Sequence, residues 1–244
     1  MTDLAATLAT KIDTYQPTDA TKELLQSTKI ALLVGIAGAG KDTIKRELLA
    51  RDGFRDIVSH TTRAPRSNDG IPEVDGVHYH FITYDQADEM LDAGAFIEAK
   101  FVHGTVYGTS AAALKAVHDS GAIALTDVDV QGVDEFKKVS PDVVAIFIIP
   151  PSYDIWRERL AKRYESNEAF AAEWQKRRTS ALAELRHALE VPYYHFVIND
   201  ELERVVTVAD EIARRDDLFL RKDDEARLIA RDLLAAIEAD RSYK

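Results

Sequence analysis

Cysteine is absent from this 244-residue chain. That excludes a disulfide framework, a thiolate metal centre and a cysteine nucleophile. Long hydrophobic runs are missing too, since no stretch approaches the roughly 20 apolar residues that cross a bilayer. The leading stretch from Met1 to Gln16 carries acids and lacks a basic region followed by an apolar run, so it does not read as a secretory signal. The expectation is a soluble, cytoplasmic protein with no membrane partner. Positive charge is scarce: 31 Lys and Arg stand against 42 Asp and Glu, a net charge of −11. A chain so acidic lacks the basic footprint of a nucleic-acid-coating protein, although a small phosphorylated ligand in a local basic pocket is compatible with it. The rest is ordinary for a globular protein, at 46% hydrophobic and 30% charged. A chain of this length buries about 70% or more of its unfolded surface and needs no staple to fold.

Four apolar, β-rich runs stand out at Ile30–Val34, Ala122–Asp127, Val143–Ile149 and Phe196–Ile198. Their near-continuous apolar character suits strands covered on both faces. Helical periodicity predicts helices over Lys41–Arg51, Tyr84–Ala93, Ser110–Ser120, Ser152–Tyr164 and Glu168–Leu189. Strands alternating with helices imply βαβ units, a parallel sheet and an α/β fold. Between Phe54 and Gly108 the texture shifts to Gly, Pro, Asp and aromatic residues, with short alternating stretches at His78–Ile82 and Phe96–Val102. That segment reads as a small β-rich insertion. At the amino end Leu4, Leu8 and Ile12 carry helical spacing. At the other end Leu218, Leu220, Leu228, Leu233, Leu234 and Ile237 make one amphipathic face, read chiefly as a packing helix and alternatively as a partner-binding one.

The first strand runs directly into Gly35-Ile36-Ala37-Gly38-Ala39-Gly40-Lys41-Asp42-Thr43 and then a helix. This is the P-loop pattern in its proper setting of buried strand, glycine-rich loop and helix start. Glycines are needed because successive N–H groups must converge on phosphate oxygens without Cβ obstruction. The helix start adds unsatisfied donors and a positive dipole end, and Lys41 supplies a point charge. One position departs from the pattern. Where a Ser or Thr touches Mg²⁺, this chain has Asp42, and the hydroxyl follows at Thr43. A carboxylate there either ligates the ion, directly or through water, or repels the phosphates; residue type alone leaves both open.

Further along stands Ser59-His60-Thr61-Thr62-Arg63-Ala64-Pro65-Arg66, two arginines stiffened by a proline, either two surface arginines in a loop or a natural clamp for one phosphate. His78 and His80 alternate within Val74-Asp75-Gly76-Val77-His78-Tyr79-His80-Phe81, but no carboxylate joins them at ligand spacing and no metal is expected there. Glu98, then Tyr107-Gly108-Thr109, then Leu125-Thr126-Asp127-Val128-Asp129 complete the set. Asp127 and Asp129 fall at the carboxyl end of an apolar strand, the ligand edge of a parallel sheet, and strand alternation predicts that they share a face.

From about Ile30 to Val206 these motifs, in this order, resemble the guanylate kinases, P-loop enzymes that move the terminal phosphoryl of ATP to GMP. The resemblance implies an ATP site at Gly35, Gly38, Ala39, Gly40, Lys41, Asp42 and Thr43, with Asn199 near the adenine. It implies guanine reading by Ser59, Glu98 and Thr109, a GMP phosphate held by Arg63, Arg66, Tyr79 and Tyr107, and a nucleoside contact at Asp127. Arg159, Arg163 and Arg177 match the arginines of a helical lid over about residues 159–178, catalytic together with Lys41. Mg²⁺ is implied as the cofactor, with Asp42 and Asp129 as its candidate ligands.

The implied organisation is an amino-terminal helical extension over 1–28, a kinase-like domain over 29–215 and a carboxy-terminal helical extension over 216–244. Within the domain, 29–53 and 109–215 form the core and 54–108 the GMP-binding insertion. Departures from the family are Asp42, a longer acceptor loop from Ser67 to Pro72, a longer lid between Arg163 and Arg177, and Tyr164 at a usual glycine. These leave room for a kinase of another monophosphate or phosphorylated small molecule, or for a binding module without activity. Oligomeric state, including a homodimer, is not written in the sequence.

Overall fold

The computed structural model describes residues 3–68, 71–102, 104–214 and 223–242. The chain divides into two compact units, one formed by residues 1–29, 53–126 and 135–142, the other by 30–52, 127–134 and 143–244. In chain order the elements are α1 (Asp3–Asp13), α2 (Asp19–Ser27), β1 (Ile30–Val34), α3 (Lys41–Leu49), β2 (Phe54–Asp56), β3 (His60–Thr61), β4 (Ser67–Asn68), β5 (Ile71–Pro72) and β6 (His80–Phe81). There follow α4 (Tyr84–Asp92), β7 (Phe96–Val102), β8 (Thr105–Ser110), α5 (Ala111–Asp119), β9 (Ile123–Asp127), α6 (Val130–Val139) and β10 (Val144–Ile149). The last are α7 (Tyr153–Ala161), α8 (Asn167–Glu190), β11 (Tyr194–Ile198), α9 (Leu202–Arg214) and α10 (Asp223–Ala239).

The second unit is α/β in the expected sense. Its strands run parallel in the order β11-β10-β1, and every residue of β1 and β10 is buried. Phe147 in β10 packs its ring against Tyr194 and Phe196 of the neighbouring strand, at 5.5 and 5.2 Å. Helices α7 and α8 contribute Trp156 and Trp174, both fully buried with rings 5.6 Å apart. Serine side chains set the helix starts: Ser152 and Ser166 accept from the N–H three residues on, satisfying one of the free donors of a first turn. Ser110 does the same for α5, so Ser110 and Ser152 are caps rather than first helical residues.

Helix α9 escapes a pattern-based reading. Its buried face carries Val205, Val206 and Val208, β-branched residues whose packing overrides their modest helix preference. Helix α10 packs on α7, α8 and β11, through Ala226, Ala230, Leu233 and Ile237. The expected apolar face is corrected at Leu228, which is 57% exposed; Leu218 and Leu220 lie outside the described residues. Arg178 of α8 donates from Nε and Nη2 to the carbonyls of Ile237 and Glu238, both at 2.9 Å.

The first unit holds a four-stranded sheet in the order β6-β3-β8-β7, parallel between β3 and β6 and antiparallel elsewhere. It also contains the β4–β5 hairpin and the parallel pair β2–β9. The expected strand at His78–Ile82 shrinks to His80–Phe81, because His78 sits in the preceding turn with Nδ1 accepting from Val74 N–H at 3.0 Å. The alternation reading of His78 and His80 is corrected accordingly. Fully buried Leu8 of α1 joins Ala87, Leu91, Phe96 and Val106 in this unit's core. Among the described residues no helix is long and apolar enough to cross a membrane.

Phe147 is enclosed on all sides, so truncation leaves a cavity that strands on both flanks cannot fill. Phe147→Ala should cost about 3–5 kcal/mol, read as a lowered urea midpoint.

Candidate functional site

The glycine loop joins β1 to α3 within the second unit. Gly35, Gly38 and Gly40 have φ of +141°, +83° and +96°, a region that L side chains rarely adopt. Close approach reinforces the demand. A Cβ at Gly35 would lie 2.2 Å from the Ile148 carbonyl oxygen, and one at Gly40 2.2 Å from Asn199 Nδ2. Three loop carbonyls are taken by side chains: Lys41 Nζ donates to Gly35 O, Trp156 Nε1 to Ala37 O at 2.8 Å, and Asn199 Nδ2 to Ala39 O at 2.7 Å. Burial pushes the Lys41 ammonium below the usual lysine range, against the pull of Glu184, Asp127 and Asp42. Asn199 is thus brought to the loop itself, and its own N–H donates to Ile149 O at 2.7 Å.

Beside the loop lies a cavity of about 390 Å³ lined by Gly38, Gly40, Asp42, Thr43, Arg159, Arg163 and Asn199, with Asp200 and Leu202. Seven positions singled out from sequence therefore meet around one space. Arg159 Nη1 is buried there without a hydrogen-bond partner. A guanidinium N–H left so carries a desolvation cost that an anionic acceptor would offset. Asp42 turns its carboxylate to Arg163, Oδ2 to Nη2 at 3.3 Å, with both side chains largely exposed. Arg177 does not line this space; its Nε donates to Tyr164 Oη at 2.8 Å, so two residues singled out from the sequence are hydrogen-bond partners. Asp127 pairs with Lys45 at 3.0 Å.

The expectation that Asp127 and Asp129 share one strand face is corrected. Strand β9 ends at Asp127, and Asp129 lies beyond it, where Oδ1 accepts from Gly132 N–H at 2.6 Å in the first turn of α6. Strand alternation stops with the strand. Glu184 of α8 went unnoticed in sequence: burial, and then the charge of Asp129, raise its carboxyl to about 7, opposed by Lys41. It belongs to no motif, and only three-dimensional proximity to Lys41 marks it.

The acceptor-side residues gather in the first unit. Glu73, also unnoticed in sequence, organises them. Its carboxylate accepts from Arg63 Nη1 and Nη2 at 2.8 and 2.9 Å and from the Arg66 N–H at 2.7 Å. The Arg63 guanidinium also lies 5.4 Å from the Tyr79 ring centroid and 5.9 Å from that of Phe81. Tyr79 and Tyr107 meet edge to face at 6.1 Å. Arg63 Nε is buried with no partner, a second orphaned guanidinium N–H. Arg66 is exposed. Glu98 Oε1 accepts from the buried Thr109 hydroxyl at 2.9 Å, and the Ser59 carbonyl accepts from His80 N–H at 2.8 Å. His60 and His80 stack at 4.7 Å, and burial, then His80, push His60 down to about 4.

Comparison with known proteins shows the family. The family model described as guanylate kinase matches residues 27–215. The chain belongs to the guanylate kinase family. It is 36% identical over 203 residues to the guanylate kinase of Paraburkholderia xenovorans, covering 78% of this chain and 86% of that one. It is 35% identical over 189 residues to that of Escherichia coli, covering 76% and 87%. Guanylate kinase 1 of Oryza sativa subsp. japonica is 34% identical over 212 residues, and the match spans 53% of that longer protein. The crystal structure of guanylate kinase from Anaplasma phagocytophilum superimposes with a TM-score of 0.57 at 27% identity, over 82% of this chain and 95% of that one.

Two outcomes follow from the geometry. Hydrogen bonds from Arg63, and then from the Arg66 N–H, hold the Glu73 carboxyl at about 2 instead of the ordinary 4.5. A depressed acid stabilises the fold above its unfolded value and ceases to do so as pH falls through its folded one. Wild type should therefore lose stability between about pH 4.5 and 2 more steeply than Glu73→Gln, followed by acid titration of ellipticity. Gly40→Ala should displace the Asn199 amide and raise the KM for ATP by tenfold or more (about 1.4 kcal/mol per decade), read in steady-state kinetics.

Proposed function

We propose that this guanylate kinase family member transfers the terminal phosphoryl group of ATP to GMP, giving ADP and GDP, as a soluble cytoplasmic enzyme. The loop amides of Gly38, Ala39 and Gly40, the first turn of α3 and Lys41 take the donor phosphates, with Gly35 making room for the turn and Asn199 beside the adenine. Arg63 and Arg66 take the acceptor phosphate with Tyr79 and Tyr107, while Ser59, Glu98 and Thr109 read guanine and Asp127 contacts the nucleoside. A carboxylate that accepts from the ring N–H and exocyclic amine of guanine rejects adenine, which lacks that donor pair, and an unpaired buried acceptor discriminates strongly.

The observation that carries this reading is the pair of orphaned guanidinium N–H groups, Arg159 Nη1 and Arg63 Nε, one at each set of phosphate-binding residues. Phosphoryl transfer demands positioning and charge compensation more than covalent chemistry. Arg159 and Arg163 neutralise charge on the moving group and exclude water, and Arg177 joins them on leaving Tyr164. The Asp42–Arg163 pair opens as the arginine turns to the phosphates. An oxygen of the acceptor phosphate is already a nucleophile, so no general base is needed.

Among the described residues no cluster of three His, Asp or Glu side chains could cage a metal ion. Mg²⁺ keeps several waters and binds through one or two protein oxygens plus substrate phosphates. Asp42 and Thr43 line the cavity with such oxygens, and Asp129 is a further acid for a bound water. Asp42 and Thr43 would hold the ion, which would supply charge neutralisation to the donor phosphates when bound.

A coupled assay of ADP release tests the whole reading. ADP should appear only with GMP present, and Lys41→Ala should lower kcat/KM by roughly 10³ or more, as for loss of a preorganised charge in a transition state. Hydrolysis of ATP at an equal rate without GMP would overturn it.

A further inference from the structure

The family match begins at residue 27, so α1, Tyr15 and most of α2 stand outside it. This segment is nonetheless built into the first unit. Leu8 is fully buried against β7, β8 and α4 residues, and Lys11 reaches Asp88 and Asp92 at 2.5 and 2.8 Å. Thr18 lies so close to Gly94 that a Cβ there would come within 2.6 Å of its methyl group. The decisive contact is Tyr15. Its hydroxyl donates to Phe96 O at 2.6 Å and accepts from Phe96 N–H at 3.0 Å, taking both main-chain groups of one residue.

That residue opens a β-bulge. Phe96 pairs with Ser110 and Glu98 with Thr109, so Ile97 is the extra residue in β7. A bulge bends its strand and re-aims the side chains that follow, and a slip of one residue would turn Glu98 to the opposite face. The Phe96 ring presses on the neighbouring strand, where a Cβ at Gly108 of β8 would lie 2.8 Å from it. Burial raises the Tyr15 phenol above its usual range, keeping its proton available for donation.

The geometry points to Tyr15 as a positioning residue for base recognition: the amino-terminal segment is a strap whose phenol seats the bulge that presents Glu98 and Thr109 to guanine. The inference rests on the guanine-reading role proposed for Glu98, and adds that part of the specificity comes from outside the family's common segment.

Tyr15→Phe keeps the ring and removes only the hydroxyl. It should raise the KM for GMP by about fivefold, the worth of one net hydrogen bond, and lower the preference for GMP over IMP, which lacks the exocyclic amine. The kcat and the KM for ATP should stay as they are. Lys11→Met, which cuts the strap's ion pairs but leaves the bulge alone, should lower thermal stability without moving the GMP-to-IMP ratio. The inference fails if Tyr15→Phe leaves that ratio unchanged while Glu98→Gln collapses it, or if Lys11→Met moves it equally. If Glu98→Gln is itself silent, the guanine reading fails and this inference falls with it. Hydrogen exchange on the unaltered chain gives a reading that needs no variant. The Phe96 amide should be protected and slow further with GMP but not with ATP alone; indifference to GMP would overturn the proposal.

Discussion

Everything the second unit can do with a phosphate depends on how its glycine loop is held from behind. Lys41, Trp156 and Asn199 each spend a donor on one carbonyl of that loop. An unsupported glycine-rich segment samples many conformations, and ordering it on ligand arrival would cost conformational entropy. Here that ordering belongs to folding. The three donors come from α3, α7 and the segment after β11, so the loop inherits the rigidity of a buried parallel sheet and two aromatic-rich helices. Its Cβ-free contacts with Ile148 and Asn199 leave no slack for a different residue type.

The acceptor-side residues solve a different problem, that of keeping like charges together before a ligand arrives. Glu73 does so by accepting three hydrogen bonds from the loop that carries Arg63 and Arg66. The Arg63–Glu73 pair is nearly enclosed, with side chains 11% and 10% exposed, where breaking one partner is more damaging than an exposed pair would suggest. A chain with a net charge of −11 thereby keeps its few functional cations from being scattered into solvent pairs. Glu73 thereby holds the arginines proposed for the acceptor phosphate.

How much of this was legible in the sequence follows the range of each constraint. The glycine loop is written locally, because positive φ and close approach act on residue identity at fixed spacing. Buried strands and capped helices are equally local, which is why β1 and β7 fall where their patterns place them and serine-capped starts shift by only one residue. Glu73, Glu184 and Tyr15 are written at long range. Tyr15 and Phe96 stand 81 positions apart, and no window of sequence contains both. Asp129 shows a related limit: a period of two holds only within a strand, and β9 ends at Asp127. Leu228 failed because the tail helix buries alanines, whose small side chains let it approach its neighbours, and a search for leucines looks past them.

Helix α8 has a consequence of its own. With 24 residues it runs about 36 Å at 1.5 Å per residue. It carries Arg177 near its middle, Glu184 two turns on, and Arg178 on the carbonyls that end α10. One inserted or deleted residue between Arg177 and Glu184 would rotate the remainder by about 100° and turn Glu184 away from Lys41. Whole turns are the natural currency of length change in such a rod. Relatives of this chain should therefore vary in length before Asn167 and keep the spacing from Arg177 onward.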